Sequence, residues 1–434
     1  MSPETAGIVG IVLLVFLFFL RMPIAFAMAF VGFIGFAYLS GPGPAISLLS
    51  QDIFEAFSSY PLSVIPMFIL MGCFAYASGI SKRLFSTAYT WVGSLHGGLT
   101  IATVFACAGF AAICGSTTAT AAAMGKIALP EMKKYNYDNT LATGTVAAAG
   151  TLGILIPPST VFIIYGLLVE ESIGKLFVAG IVPGIILSLM FAATVAILCF
   201  RNPSLGPPGV ATSWREKVKA IGGIIEAVIL FLLAIGGLLL GWFSPTQAGA
   251  IGAGGSLLIG LIRRQLTWKT FIEAGKDGLL TGCMIIFIIT GAIIFGHFLA
   301  ISKIPFLLAD WLGSLPIHRI AIIGIIIFIY FIGGCFMDSM GLIVVTLPIF
   351  FPIVKNLGFD PIWFGVIIVL TGEMGVLTPP VGVNVFVIKG IAPDVPLHII
   401  FKGIMPFLVP LIILTIILTF FPQIATFLPS LIKY

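Results

Sequence analysis

Charge is what this sequence has least of. Asp, Glu, Lys and Arg together supply 9% of its 434 residues, where a soluble domain carries about a quarter. With 59% hydrophobic residues and a mean hydropathy of +1.20, the chain cannot cover itself with a water-compatible surface. That excludes a soluble globular protein and makes the chain an integral membrane protein throughout. Histidine is scarce as well. His96, His297, His318 and His398 stand near helix ends, with no Asp or Cys at metal or triad spacing, which argues against an intramembrane enzyme. Cys73, Cys107, Cys114, Cys199, Cys283 and Cys335 all lie inside apolar segments without metal-like spacing and read as small buried hydrophobes. No G-x-x-x-x-G-K-[ST] motif is present, so ATP hydrolysis by this chain drives nothing. The net charge of +5 resides in loops, without the aromatic interleaving of a nucleic-acid site. The first residues lack a basic n-region and an A-x-A site, so no cleavable signal peptide is expected.

What is present is length of apolar run. A helix needs about 20 apolar residues to cross a hydrocarbon core of roughly 30 Å. Runs of that kind fall at 5–20 (short), 24–39, 61–79, 139–169, 174–200, 219–242, 245–262, 278–300, 361–391 and 398–421. Residues 97–134 and 318–356 resist this count. Each is a pair of short apolar halves broken by small or polar residues, Gly115-Ser-Thr-Thr-Ala-Thr120 and Gly333-Gly-Cys-Phe-Met-Asp338-Ser339. Two short helices meeting at a polar tip predict a re-entrant hairpin. The expected fold is an all-α polytopic membrane protein with about ten crossings plus two re-entrant hairpins.

Loop charge orients this layout. Cytoplasmic loops carry the Lys and Arg excess. With both termini outside, the inner side receives Arg21, Lys82, Arg83, Lys133, Lys134, Arg201, the basic residues from Arg215 to Lys276, Lys389 and Lys402. The outer side receives only Lys175, Lys303, Arg319, Lys355 and Lys433. The first hairpin is then expected to open to the cytoplasm and the second to the outside.

A self-match runs through the chain. A shift of 222 residues superposes Pro23 on Pro245, Pro130 on Pro352, Lys133 on Lys355 and Asp138 on Asp360. The same shift lays Gly150, Gly153, Pro157 and Pro158 on Gly372, Gly375, Pro379 and Pro380. Nearby shifts bring Trp91-Val-Gly-Ser-Leu95 onto Trp311-Leu-Gly-Ser-Leu315. Two repeats follow, 1–210 and 211–434, each with an odd number of crossings, so the second runs inverted. Inverted repeats with interrupted helices in matching positions point to a secondary transporter with its site between them. Amphipathic stretches 82–92 and 303–312 precede the two hairpins and read as interfacial arms or anchors.

The interruptions have a chemistry. Proline removes a backbone donor and biases its predecessor out of the helix. The freed carbonyls suit a cation and the freed amides an anion, tolerable in the membrane only where protein or a cavity satisfies them. Ser116, Thr117, Thr118 and Thr120 add hydroxyls at the first tip, Asp338 and Ser339 a carboxylate and a hydroxyl at the second. Asp338 is either a transport residue or a carboxylate that pins the tip. Glu373 beside the second break reads equally as a packing or a transport residue, and Asn384 as a substrate ligand or a tie for freed backbone. Lys126 reads as a lysine snorkelling to the interface.

These residues resemble the large membrane subunit of the TRAP (tripartite ATP-independent periplasmic) transporters. The likeness rests on Gly-Ser-Thr-Thr-Ala-Thr-Ala at 115–121 followed by Leu129-Pro-Glu-Met132, and on Gly153-Ile-Leu-Ile-Pro-Pro-Ser159. In the second half it rests on Phe336-Met-Asp-Ser339 with Pro348, and on Thr378-Pro-Pro-Val-Gly-Val-Asn384. The resemblance implies a bacterial or archaeal inner-membrane importer of the elevator type, driven by a sodium gradient. It implies a small four-helix membrane subunit and a periplasmic substrate-binding protein as partners, and an organic acid such as a C4-dicarboxylate or sialic acid as substrate. Carried onto this chain, one Na+ site would use Ser116, Thr117, Gly150, Gly153 and Pro157. The other would use Gly334, Asp338, Gly372, Gly375, Thr378 and Pro379, with substrate against Thr118, Ser159 and Asn384. One charge crossing 100 mV is worth about 2.3 kcal/mol, so two sodium ions with a monoanion still give concentrative uptake. The rivals are a stand-alone sodium/divalent-anion symporter and a channel, although nothing here resembles a selectivity-filter ring.

Overall fold

The computed structural model describes residues 1–314 and 318–432, and every regular element among them is helical. Leu315 and Lys433, used above for repeat matching and charge placement, lie outside the described residues. The first half runs α1 (Pro3–Phe19), α2 (Ile24–Ser40), α3 (Pro42–Ser58), α4 (Val64–Ala77), α5 (Ile80–Val92), α6 (Gly98–Cys114), α7 (Thr117–Lys134), α8 (Asn139–Gly150), α9 (Leu152–Leu155), α10 (Thr160–Val169) and α11 (Ile173–Arg201). The second half runs α12 (Trp214–Ala220), α13 (Ile225–Phe231), α14 (Gly237–Leu239), α15 (Pro245–Ile262), α16 (Trp268–Ser302), α17 (Ile304–Ser314), α18 (Arg319–Gly334), α19 (Ser339–Asn356), α20 (Pro361–Leu377), α21 (Val383–Ile391), α22 (Leu397–Phe420) and α23 (Gln423–Ser430).

Local chemistry sets the boundaries. Ser244 and Gln247 form a capping box with Pro245 at the first helical position, which starts α15 at the expected residue. Asp138 caps α8 by accepting from the amides of Thr140 and Leu141, and Asp360 caps α20 the same way from Ile362 and Trp363. The 222-residue match is thus repeated in backbone geometry. Helix α7 shifted by 222 has the bounds of α19, and both Pro-Pro bonds, Pro157–Pro158 and Pro379–Pro380, are cis.

Among the described residues, six helices are long and apolar enough to cross a membrane, and up to eight if two bent pairs each make one span. Residues 139–169 count as one of the six, taken through their break. Of the remaining expected runs, 5–20, 24–39 and 361–391 fold around α1, α2 and α20. Each of these has 17 residues, about 25 Å at 1.5 Å per residue, short of the core thickness. The run 61–79 is the second limb of a pair bent by 53°, whose first limb is α3. Helix α3 is missing from the sequence reading because Gln51, Asp52 and Glu55 interrupt its apolar pattern.

Packing mirrors the repeats. Helix α2 lies along α16, and its counterpart α15 lies along α4. Small residues permit the close crossings: a Cβ on Gly32 would lie 2.7 Å from the Phe295 backbone nitrogen. Helices α6 and α7 pack on one another as a hairpin and on α8, while α18 and α19 pair and pack on α20. Outside the core, Glu226 accepts from both Arg83 and Arg263, tying α5 to α13 and the end of α15.

Candidate functional site

Each hairpin tip docks on the break of its own half. At the first tip, Gly115 ends α6 in the left-handed region (φ 67°), a conformation suited to a residue without a Cβ. Its carbonyl accepts from the Thr160 amide at 3.2 Å and the Thr160 hydroxyl at 2.9 Å, just past Pro157 and Pro158. At the second tip the Cys335 carbonyl accepts from the Val381 amide at 3.1 Å, just past Pro379 and Pro380. The freed donors of each broken helix thus find partners on the neighbouring tip.

Ser116 caps α7, accepting from the Ala119 amide at 3.4 Å. Asp338, 222 residues on, caps α19, its Oδ2 accepting from the Gly341 amide at 3.1 Å. The first residues of these helices, Thr117 and Ser339, are repeat counterparts, and they meet on one carboxylate. Glu373 Oε2 accepts from the Thr117 hydroxyl at 3.0 Å, and Oε1 from the Ser339 hydroxyl at 2.7 Å. Glu373 is 1% exposed and sits on α20 one residue past Gly372. Two helix N-termini therefore converge on one buried carboxyl group. The residue matching Glu373 in the first half is Thr151, whose hydroxyl merely returns to the Ala148 carbonyl at 2.6 Å.

Around this junction lies a cavity of about 80 Å³. Ser116, Thr117, Thr118, Thr160, Asp338, Ser339, Met340 and Glu373 line it, with Ile154, Val161, Val376 and Val383 closing its sides. Both tips and both broken helices contribute.

Of the residues anticipated from sequence, Ser116, Thr117, Thr118 and Asp338 line this cavity. The glycines act as close-approach points. A Cβ on Gly153 would stand 2.7 Å from Thr120 Oγ1, on Gly150 2.7 Å from Ala121 Cβ, and on Gly334 2.8 Å from the Gly372 carbonyl oxygen. A Cβ on Gly375 would fall on the Gly334 backbone. Pro157 and Pro379 sit within the breaks, and the Thr378 hydroxyl donates to the Met374 carbonyl at 2.7 Å. Ser159 and Asn384 are fully buried and do not line the cavity. Ser159 caps α10, accepting from the Phe162 amide at 3.2 Å. Asn384 donates to the Ala147 carbonyl at 3.1 Å, tying α21 to α8. Ser339, anticipated as a hydroxyl of the second tip, lines the cavity too, whereas Thr160, Met340 and the bridging role of Glu373 were not singled out from sequence. The signal for the bridge was present in part, since the 222-residue shift that pairs Pro157 with Pro379 also pairs Thr117 with Ser339.

The oxygens here suit a hard, small cation. Thr120 Oγ1 is buried without a hydrogen-bond partner among the described residues, facing Gly153. Asp338, whose Oδ2 caps α19, lines the cavity with its carboxylate. Carboxylate, hydroxyl and carbonyl oxygens are the ligand class that alkali and alkaline-earth ions select.

Residues 11–424 match the family described as the tripartite ATP-independent periplasmic transporter, DctM component. The chain belongs to that family. It is 37% identical over 391 residues to the C4-dicarboxylate TRAP transporter large permease protein DctM of Pseudomonas aeruginosa, covering 89% of this chain and 90% of that one. It is 35% identical over 385 residues to the isethionate TRAP transporter permease protein DctMQ of Oleidesulfovibrio alaskensis, covering 88% of this chain but 60% of that protein. Among solved structures it is similar in fold to the YdaH transporter of Alcanivorax borkumensis, with a TM-score of 0.64 at 15% identity over 88% of this chain and 89% of that one. This TRAP large subunit is accordingly a multi-pass membrane protein of a transporter family.

Proposed function

We propose that this TRAP large subunit imports an organic acid anion across the inner membrane, driven by sodium and supplied by a periplasmic substrate-binding protein. The observation that carries this reading is the junction itself, where counterpart residues of two repeats, Thr117 and Ser339, hold one buried carboxylate beside a small oxygen-lined cavity. The substrate class is drawn from relatives named for C4-dicarboxylate and isethionate, both anions. The DctMQ relative extends well beyond this chain's match, which supports a second subunit as partner here, in this reading the small four-helix membrane subunit.

In this reading α6–α7 and α18–α19 are re-entrant hairpins carried with the broken helices as an elevator, and both termini face the periplasm. One sodium ion would be held by Ser116, Thr117 and the Gly150–Pro157 backbone, with Thr120 adding its free hydroxyl. The other would be held by Gly334, Asp338, Thr378 and the Gly372–Pro379 backbone. Substrate meets Thr118, while Ser159 and Asn384 contribute by fixing the backbone behind the site. Glu373 supplies the reason for coupling. In its ionised form the buried Glu373 carboxylate repels an entering anion at low dielectric unless a cation binds beside it. Sodium binding is thereby a condition of anion binding.

The test is uptake of a labelled organic-acid panel into proteoliposomes holding the chain and its small subunit, with and without inward sodium gradient and binding protein. Uptake that needs both is expected. Sodium-driven uptake without a binding protein would instead make this a stand-alone symporter, and flux indifferent to sodium would refute the ion sites.

A further inference from the structure

A second and larger cavity adjoins the junction. It measures about 440 Å³ and shares Ser116, Thr118, Thr160 and Met340 with the small one. From there it runs between α7 and the pair α4 and α16, past Cys73, Tyr76 and Thr281. Thr118 and Ala119, at the tip of a hairpin deep in an apolar fold, are exposed because they face this space.

One charged side chain lines it, Lys126. Eight residues separate it from Thr118, placing it about 12 Å further along the axis of α7. Lys126 is exposed and makes no ion pair or hydrogen bond among the described residues. By contrast, Lys133 on the same helix pairs with Asp394 at 2.6 Å, and Lys389 on α21 donates to the Pro393 and Val395 carbonyls. A snorkelling lysine would reach for headgroups, whereas Lys126 borders a cavity otherwise walled by hydroxyl, thiol and apolar groups. A lone cation with low-dielectric walls raises the local concentration of anions.

We infer that Lys126 is an anion relay: it pairs transiently with a carboxylate or sulfonate of the substrate in the large cavity, between the inter-tip site and the mouth. This rests on the transport reading above and adds a station to it. An ammonium suits that task, because it is a compact hydrated point charge without the bidentate grip of a guanidinium. A substrate held there can leave again.

Cys73 lines the same cavity and reports its potential without any substrate. On the purified full chain, the rates at which an anionic (sulfonatoethyl) and a cationic (trimethylammonioethyl) methanethiosulfonate modify Cys73 are compared by mass spectrometry. Asp277 lies near Cys73, so the change in the rate ratio is the readout, not its absolute value. Lys126→Gln is expected to lower the anion-to-cation ratio by about fivefold, and Lys126→Arg to keep it. High salt on the native chain should lower the ratio in the same direction, a check that needs no variant to fold. An unchanged ratio in Lys126→Gln, or a Cys73 that neither reagent reaches, would overturn the relay. In proteoliposomes Lys126→Gln should slow sodium-driven uptake by removing the charge, and Lys126→Arg should slow it too, by holding the anion bidentately and delaying its release. Native chain that transports nothing would count against the transport reading, and the thiol ratio would still decide the cavity's potential.

Discussion

The two Pro-Pro breaks carry the same sequence pattern, the same cis bond and the same docked tip, yet their surroundings differ. Pro157, Pro158 and Ser159 are buried, whereas Pro379 and Pro380 are exposed. The second tip shows the same openness, with Phe336 exposed beside it. Equal local chemistry therefore sits in unequal environments, the first Pro-Pro break covered and the second uncovered. The asymmetry extends to the junction. The second half contributes Glu373, and the first half contributes only Thr151 at the matching place, so both tips report to a carboxylate that one repeat owns.

Accessibility should show the largest contrast. In a Cys283→Ser background, which removes an exposed thiol, Pro380→Cys is expected to react with a water-soluble maleimide at least about tenfold faster than Pro158→Cys. Equal rates would erase the difference between the breaks.

Steric substitutions sharpen the comparison next. Gly375→Ala drives a methyl into the Gly334 backbone, and Gly153→Ala drives one toward Ser116 and Thr120, where the first cation site is proposed. Overpacking of this kind costs about 1–3 kcal/mol. Both variants should lose uptake by roughly tenfold. Gly153→Ala should also raise the sodium concentration at half-maximal uptake. Full activity in either would mean that its tip does not need to seat on its break.

The smallest effect is expected far from both breaks. Asp394 is held below the usual carboxylate range, first by its hydrogen bond from Lys133, and both side chains are mostly solvent-exposed. A lowered value means the attraction is in place above the ordinary carboxylate range and fades as pH falls through the lowered one. Asp394→Asn should therefore leave uptake near neutral pH unchanged. A marked loss would give this surface pair a mechanical role.

Much of this was legible in the sequence because helix ends carry local signals. The tips, the breaks and the bounds of α15 follow from Gly, Pro, Ser and Asp at fixed places. The 222-residue match already pairs Thr117 with Ser339. That both hydroxyls reach Glu373 depends on how three helices converge, and no spacing along the chain encodes it. Asn384 shows the same limit. Its amide could have faced substrate or backbone, and only the approach of α21 to α8 selects the Ala147 carbonyl. Lys126 shows a related limit, since a cavity between α7 and α16 leaves no mark on either helix alone.

The central claim is that the sodium sites of the two halves are coupled through Glu373. Its most direct test is a double-mutant cycle of Thr117→Val and Ser339→Ala, read as the sodium concentration that half-saturates uptake. Each hydroxyl holds the same carboxylate, and a hydrogen bond to a charged group contributes about 1.5–3 kcal/mol. Each single variant should therefore weaken sodium dependence about tenfold, and the double variant little further, a coupling of at least about 1 kcal/mol. Independent, multiplying losses would contradict the claim and leave two separate half-sites.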